Sequence, residues 1–299
     1  MKGLLHIDAG KTKDKIINFI RRYVLEFNRD GALVGLSGGL DSCLVLRLCV
    51  EALGSKNVRA IIIPERDSDP SNIRDARRFA ELLSVKYTVK SISPFLWWLG
   101  AYRLYPPAFL FSKKIQAGFV KNRSGKISKR LGKDIFMANL ENEKDCELCR
   151  GKAFYRIKHR LRSSILFYYS ELNNLLLAGT SNKSEILTGF FVKYGDNIAD
   201  IMPISFLYKT QVRALARSMD IGNNIIDKAP SPDLIPGVED EDMLGLTYEK
   251  LDPILAGIEH SCDDLQIIED YGVSQKEVER VKKLMSVSEY LRAGPVNLF

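Results

Sequence analysis

The first third of the chain alternates between continuous apolar runs and apolar positions spaced three and four apart. Residues 31–36 form a short apolar run ending in a glycine-rich turn, and residues 40–53 then carry apolar side chains at helical spacing, which predicts strand, loop and helix. Residues 57–63 predict a second buried strand. Pro70 opens a helix running to about Leu83, and residues 86–92 predict a third strand. Further on, 152–172 reads as a long helix, 175–178 (LLLA) as a buried strand and 209–219 as a helix. This alternation predicts an α/β fold with a doubly wound, mostly parallel sheet flanked by helices, whose ligands sit beyond the carboxyl ends of the strands. Residues 95–151 interrupt the pattern as an insert that is aromatic, then basic, then carries a cysteine pair. Residues 1–299 read as one domain, with 238–299 as a C-terminal helical extension.

With 45% hydrophobic and 27% charged residues, the chain reads as globular rather than disordered or fibrous. The most apolar stretch, 93–112, is broken by Arg103, Pro106 and Pro107, so no membrane span is expected. The apolar run near the N-terminus is too short for a signal peptide, and a cytoplasmic location is expected. Five cysteines (Cys43, Cys49, Cys146, Cys149 and Cys262) without an export signal suggest reduced thiols or metal ligands rather than a disulfide framework.

The net charge of +7 is local, since residues 113–133 hold eight basic side chains and no acidic one. Three readings of that stretch stand open: a solvated loop, a contact to RNA backbone, or a lid over an anionic dinucleotide. The aromatics before it (Trp97, Trp98, Tyr102, Tyr105, Phe109 and Phe111) suit a core or dimer face, or a base-stacking platform.

The turn GLSGGLDS, residues 35–42, follows a strand and precedes a helix, where glycines and a helix N-terminus present backbone N–H groups to an anion. It lacks the Walker lysine and does not fit GxGxxG. A tight turn without a ligand is the plain alternative. SGGLDS resembles the loop of the PP-loop ATP pyrophosphatases, of adenine nucleotide alpha hydrolase-like fold. Those enzymes adenylate a substrate, release pyrophosphate and let a nucleophile displace AMP.

A narrower resemblance rests on INFIRRYV (17–24), PERDSDPSNIRDA (64–76), AGTSNKSEILTGFFVKYGD (178–196), LYKTQVRALA (207–216) and DKAPSPDLIPG (227–237). In that order these segments are similar to ammonia-dependent NAD synthetase, a cytoplasmic, magnesium-dependent homodimer that adenylates deamido-NAD and aminates it. The resemblance implies that Ser37, Gly38, Gly39, Asp41 and Ser42 hold pyrophosphate, and that Thr180, Arg160 and Arg162 hold ATP. It implies magnesium on Asp41 and Glu185, Lys209 and Ser231 at the phosphates, and Arg156, Lys158 and Asp196 toward the acceptor. Asp41 and Lys209 would carry the catalysis. The chemistry asks for these types, because departing pyrophosphate gathers charge that a cation, a lysine and backbone donors neutralise. Singly, Lys209 also reads as a surface charge at a helix start, Glu185 as an exposed helix residue and Ser231 as a turn residue. The synthetase segments leave no room for a glutaminase region, so free ammonia or a partner would supply nitrogen.

Two stretches depart from that family. Its motif N-x-[KQ]-A-R-x-R stands here as Arg156, Ile157, Lys158, His159, Arg160, Leu161 and Arg162, and its S-E-H-K-R as Ser288, Glu289, Tyr290, Leu291 and Arg292. Both fall on the acceptor side. The DCELC pair Cys146 and Cys149, leading into a basic helix, also resembles the PP-loop tRNA thiolases. That resemblance implies a [4Fe-4S] cluster, the spacing also suits zinc, and Cys262 or Cys43 would be the third ligand. The alternative function is therefore sulfur transfer to tRNA or a small molecule, and a third is an RNA-binding module without catalysis.

Overall fold

A computed structural model of the chain describes residues 3–105, 113–228 and 240–295, with the backbone alone over 113–121. Helix α1 (Ala9–Glu26) is capped by Asp8, whose carboxylate accepts from Lys11 N at 3.0 Å, and buries the stripe Ile16, Ile17, Ile20 and Val24. It packs on α2 (Leu40–Leu53), which follows β1 (Gly31–Gly35). Then come β2 (Val58–Ile62), α3 (Pro70–Leu82), β3 (Lys86–Val89) and α4 (Ser93–Trp98). Asp69 caps α3 through Ser71 N at 2.8 Å and Pro70 pre-sets its first turn.

The insert continues with α5 (Lys113–Leu131) and α6 (Ile135–Leu140), and α7 (Cys146–Leu172) leads to β4 (Leu175–Ala178). Helix α8 (Lys183–Thr188) carries an Asn182/Glu185 capping box, and α9 (Lys209–Ser218) and α10 (Asn223–Ile226) follow. From residue 240 the chain is helical: α11 (Asp240–Leu244), α12 (Tyr248–Glu259), α13 (Asp264–Tyr271), α14 (Gln275–Val287) and α15 (Glu289–Arg292).

The four strands are parallel in the order β3-β2-β1-β4, with Ala32 level with Val58 on one side and Leu176 on the other. Alternate residues serve two layers. Ala32 and Val34 face α1, α2 and α9, whereas Leu33 packs with Leu175, Leu177 and the flank of α7. The chain runs outward from β1 to β3 and returns on the opposite side of β1 with β4, which creates a crevice at the β1/β4 boundary. The C-terminal helices share an apolar cluster with α6, built on Tyr248, Leu251, Leu255 and Leu284 with Phe136.

Three expectations change in detail. The basic stretch is helix rather than loop, since lysine, arginine and glutamine favour helix and Ile115, Phe119, Ile127 and Leu131 recur every fourth or eighth position. Helix α7 starts at Cys146, six residues before the predicted start, because Asp145 accepts from Glu147 N and Leu148 N at 3.0 Å each. Strand β3 ends at Val89.

Candidate active site

A cavity of about 670 Å³ opens beyond the carboxyl ends of β1 and β4, where the sheet order reverses. Its floor is the turn 37–42. There Ser42 Oγ donates to Gly39 O at 3.0 Å and accepts from Ser37 N at 3.2 Å, while Gly39 N donates to Ser37 Oγ at 3.2 Å. Gly38 holds φ +82, and a Cβ there would stand 2.3 Å from the Asn72 carbonyl oxygen, so only glycine fits. Gly39 is the N-cap of α2 without a side-chain cap, which leaves first-turn N–H groups for an anion.

Above the turn stands a compact charged group. Lys209, at the start of α9, is ion-paired with Asp41, and Asn182 Nδ2 donates to the other Asp41 oxygen at 3.1 Å. Glu185 Oε2 accepts from Asn182 N at 3.2 Å within the capping box. The Tyr248 ring lies 5.6 Å from Lys209 Nζ, and its hydroxyl donates to Asp240 Oδ2 at 3.4 Å. Burial, then Asp41, raises the Glu185 pKa well above the usual carboxylate range. Burial, partly offset by Lys209, lifts Asp240 to about 6. For Lys209 burial works against the charge, but Asp41, Glu185 and Asp240 outweigh it and its pKa is raised.

Lys209 is paired with Asp41 and feels Glu185 and Asp240 at longer range, and Asp240 Oδ1 is buried without a hydrogen-bond partner among the described residues. These side chains do not gather into a complete site among the described residues, and they suit a divalent cation that takes its other oxygen ligands from phosphates. Asp41 and Glu185 are the pair that would hold magnesium. It would neutralise charge developing on pyrophosphate.

The expected residues divide. Ser37, Gly39, Asp41, Ser42, Thr180, Glu185, Lys209, Arg162, Arg156 and Asp196 line the cavity, and Gly38 shapes its floor. Arg162 Nε also donates to the Ile63 carbonyl at 3.0 Å. Arg160 is exposed outside the lining, its guanidinium directed to the Lys193 carbonyl at 3.4 Å. Lys158 is fully buried, 2.9 Å from Glu65 Oε1 and 3.3 Å from Asp67 Oδ2, and is also absent from the lining. Ser231, Phe109 and Phe111 lie outside the described residues.

The cluster expectation is corrected. Cys146 and Cys149 are exposed on the first turn of α7, Cys262 packs on the C-terminal helices, and Cys43 is buried under the sheet with its thiol pKa pushed up by burial. Among the described residues no group of three or more metal-ligating side chains comes together, so the third ligand of a cluster and the fourth of a zinc site are missing. Sequence reasoning missed Asn182, Asp240 and Tyr248. Asn182 sat inside a recognised segment, but Asp240 and Tyr248 reach Lys209 only through the packing of α11 and α12.

The NAD synthase family model matches residues 12–127 and 133–295. The chain is 46% identical over 285 residues to the NH3-dependent NAD+ synthetase of Thermotoga neapolitana, covering 95% of each, and 45% identical to that of Thermotoga maritima, covering 95% of this chain and 98% of that one. Among solved structures it is similar to the NH3-dependent NAD synthetase of Campylobacter jejuni, at TM-score 0.68 and 26% identity over 98% of this chain and 100% of that one. Placed beside the turn at Ser37 and the Asp41–Lys209 pair, these likenesses show that the chain belongs to the NAD synthase family, among the NH3-dependent NAD+ synthetases.

Proposed function

We propose that this protein makes NAD+ by amidating deamido-NAD, with ATP as activator and ammonia as nitrogen source. One observation carries the reading: the anion-binding turn and the Asp41, Glu185 and Lys209 group converge on one cavity in a chain nearly half identical to such synthetases. The nicotinate carboxylate attacks the α-phosphorus of ATP, and pyrophosphate leaves. Ammonia then forms the C–N bond as the acyl C–O bond breaks with its electron pair on AMP, and one proton is released.

In this reading Ser37, Gly38, Gly39 and Ser42 receive the phosphates, and Lys209 neutralises their charge from the opposite wall. Asp41 and Glu185 would hold magnesium, which would supply positive charge to the departing pyrophosphate. Thr180 and Arg162 face ATP, and Arg156 and Asp196 face the acceptor. Lys158 supports that wall from behind. Residues 1–299 form one synthetase-like unit, the insert 95–151 and extension 238–299 included, acting as a cytoplasmic homodimer. The exposed Trp97 and Trp98, at 73% and 82%, are the kind of surface a second copy covers. Among the described residues no helix is long and apolar enough to cross a membrane.

The test is direct: purified protein given ATP, magnesium, ammonium and deamido-NAD yields NAD+, AMP and pyrophosphate in equal amounts. Folded protein that releases no AMP under these conditions overturns the reading.

A further inference from the structure

Behind the acceptor wall a histidine occupies the place where the family motif quoted above carries alanine. His159 lies on α7 with its side chain 14% exposed, and Nδ1 stands 3.4 Å from Asp196 Oδ2. Asp196 is in front, 40% exposed, and both residues border the cavity. Its other oxygen, Oδ1, accepts from Val192 N at 2.7 Å. The carboxylate is therefore held at one oxygen by the backbone, with the ring facing the other at 3.4 Å.

The loop carrying Asp196 is fastened to the same helix. Ser163 Oγ donates to the Gly195 carbonyl at 2.6 Å, and Arg160 reaches the Lys193 carbonyl at 3.4 Å. Gly195 passes so close that a Cβ on it would stand 2.9 Å from His159 Cβ. The loop is thus held close against the face of the helix that carries the ring.

We propose that His159 is a positioning residue of the amidation: its ring orients the Asp196 carboxylate toward the acceptor and the incoming nitrogen. This rests on the synthetase reading above. The charged groups facing the ring are Asp196 from the loop and Arg162 and Lys158 from its own helix, with Glu65 and Asp67 neutralising Lys158. Burial, with Arg162 and Lys158, lowers the imidazole pKa although Asp196 opposes it, so the ring is neutral at neutral pH. A neutral ring facing Asp196 at 3.4 Å adds no charge of its own, so the charge of the carboxylate is not cancelled. Nitrogen arriving as ammonium is drawn to that charge. Protonation of the ring at lower pH cancels it.

The experiment is steady-state kinetics of His159→Ala and His159→Asn, varying ATP, deamido-NAD and ammonium in turn across pH. Loss of the ring that positions the carboxylate predicts a KM for ammonium about tenfold higher or more in His159→Ala, with the KM for ATP unchanged. His159→Asn, which keeps a donor, recovers most of the loss, and the acidic limb set by the ring disappears in both variants. A His159→Ala enzyme with wild-type constants and an unchanged pH profile overturns the proposal. If that variant does not fold, imidazole titration by NMR in the wild type and in Asp196→Asn decides. Removing the carboxylate lowers the ring pKa if the pair is real, and an unchanged pKa overturns it. A wild type inactive on deamido-NAD counts against the synthetase reading, and the titration still judges the pair.

Discussion

Lys158 Nζ lies 2.9 Å from Glu65 Oε1 with neither side chain exposed, and the Phe154 ring covers the ammonium at 4.1 Å. Asp67 completes the arrangement at 3.3 Å. A fully buried ammonium that spends two of its three donors on carboxylates and lies against an aromatic face is not presented to a substrate. Its work is to fix the turn after β2, where Asp67 borders the cavity and Arg66 stacks on Tyr102 at 4.0 Å.

Replacing that ammonium leaves Glu65 buried without a counter-charge. Lys158→Met is expected to destabilise the fold by about 3–5 kcal/mol, read by urea unfolding, because an uncompensated buried charge costs more than the pair contributes. Adding Glu65→Gln to Lys158→Met restores part of the loss. Retention of wild-type stability in Lys158→Met would mean that the pair is not buried as described.

The charged group around Lys209 ties stability and ligand binding to pH. Asp240 titrates at about 6 in the folded protein against an ordinary 3.8, and Glu185 is likewise raised. A raised folded pKa means the folded state holds the proton more tightly. The stability it adds is fully present below pH 4 or so and is lost as pH rises through about 6, after which the ionised buried group opposes folding. Asp240→Asn should therefore flatten the pH dependence of thermal unfolding between these limits and raise the midpoint at pH 7. Calorimetry in buffers of different ionisation enthalpy should register proton release when magnesium and ATP bind near pH 6, and less in Asp240→Asn. Equal heats in all buffers for the wild type would remove these carboxyls from the ligand site.

How much of this was legible beforehand depended on distance along the chain. The turn 37–42, the strands and α9 are local patterns and stand close to where hydrophobic period and glycine placement put them, whereas the α8 segment was legible only through its resemblance to the family. Lys158, Arg160 and Arg162 were read as a group because they share a stretch. Their different fates depend on Glu65, the Lys193 carbonyl and the Ile63 carbonyl, at least 33 residues away. Asp240 escaped for the same reason. Nothing in the local spacing of α11 points to Lys209.

Gly38 offers a sharper backbone test. Its φ of +82 and the 2.3 Å approach a Cβ would make to the Asn72 carbonyl both forbid a side chain. Gly38→Ala is expected to destabilise by about 1–3 kcal/mol and to abolish ATP binding in calorimetry. Gly54, also at positive φ but with open space around it, is the control. Gly54→Ala carries only the backbone cost and keeps ATP affinity.

The exposed pair Cys146 and Cys149 gives the opposite expectation. Without a third ligand among the described residues, anaerobically purified protein should be colourless and hold no stoichiometric iron or zinc. Cys146→Ser should keep the wild-type rate of NAD+ formation. A brown protein that bleaches in Cys146→Ser would restore the cluster.

Helix α5 presents two faces, and each gives the basic stretch a different task to test. Lys126, Lys129 and Arg130 are exposed, whereas Ile127 is 4% exposed and borders the cavity with Arg123 and Ser124. Arg123 donates to Glu147 Oε1 at 3.1 Å and stacks over the Tyr105 ring at 4.9 Å, while its Nε is buried without a partner among the described residues. A buried unsatisfied donor beside an aromatic face is costly until an anion meets it. Arg123→Ala is therefore expected to raise the KM for deamido-NAD or ATP about tenfold or more, the loss of one charge-assisted hydrogen bond. Lys126→Ala and Lys129→Ala, on the solvated face, should leave both KM values unchanged. An RNA contact predicts the reverse: the outer lysines would set a salt-dependent affinity for RNA, and Arg123 would not. Measuring all three variants with the dinucleotide and with RNA separates a lid over the dinucleotide from a nucleic-acid surface.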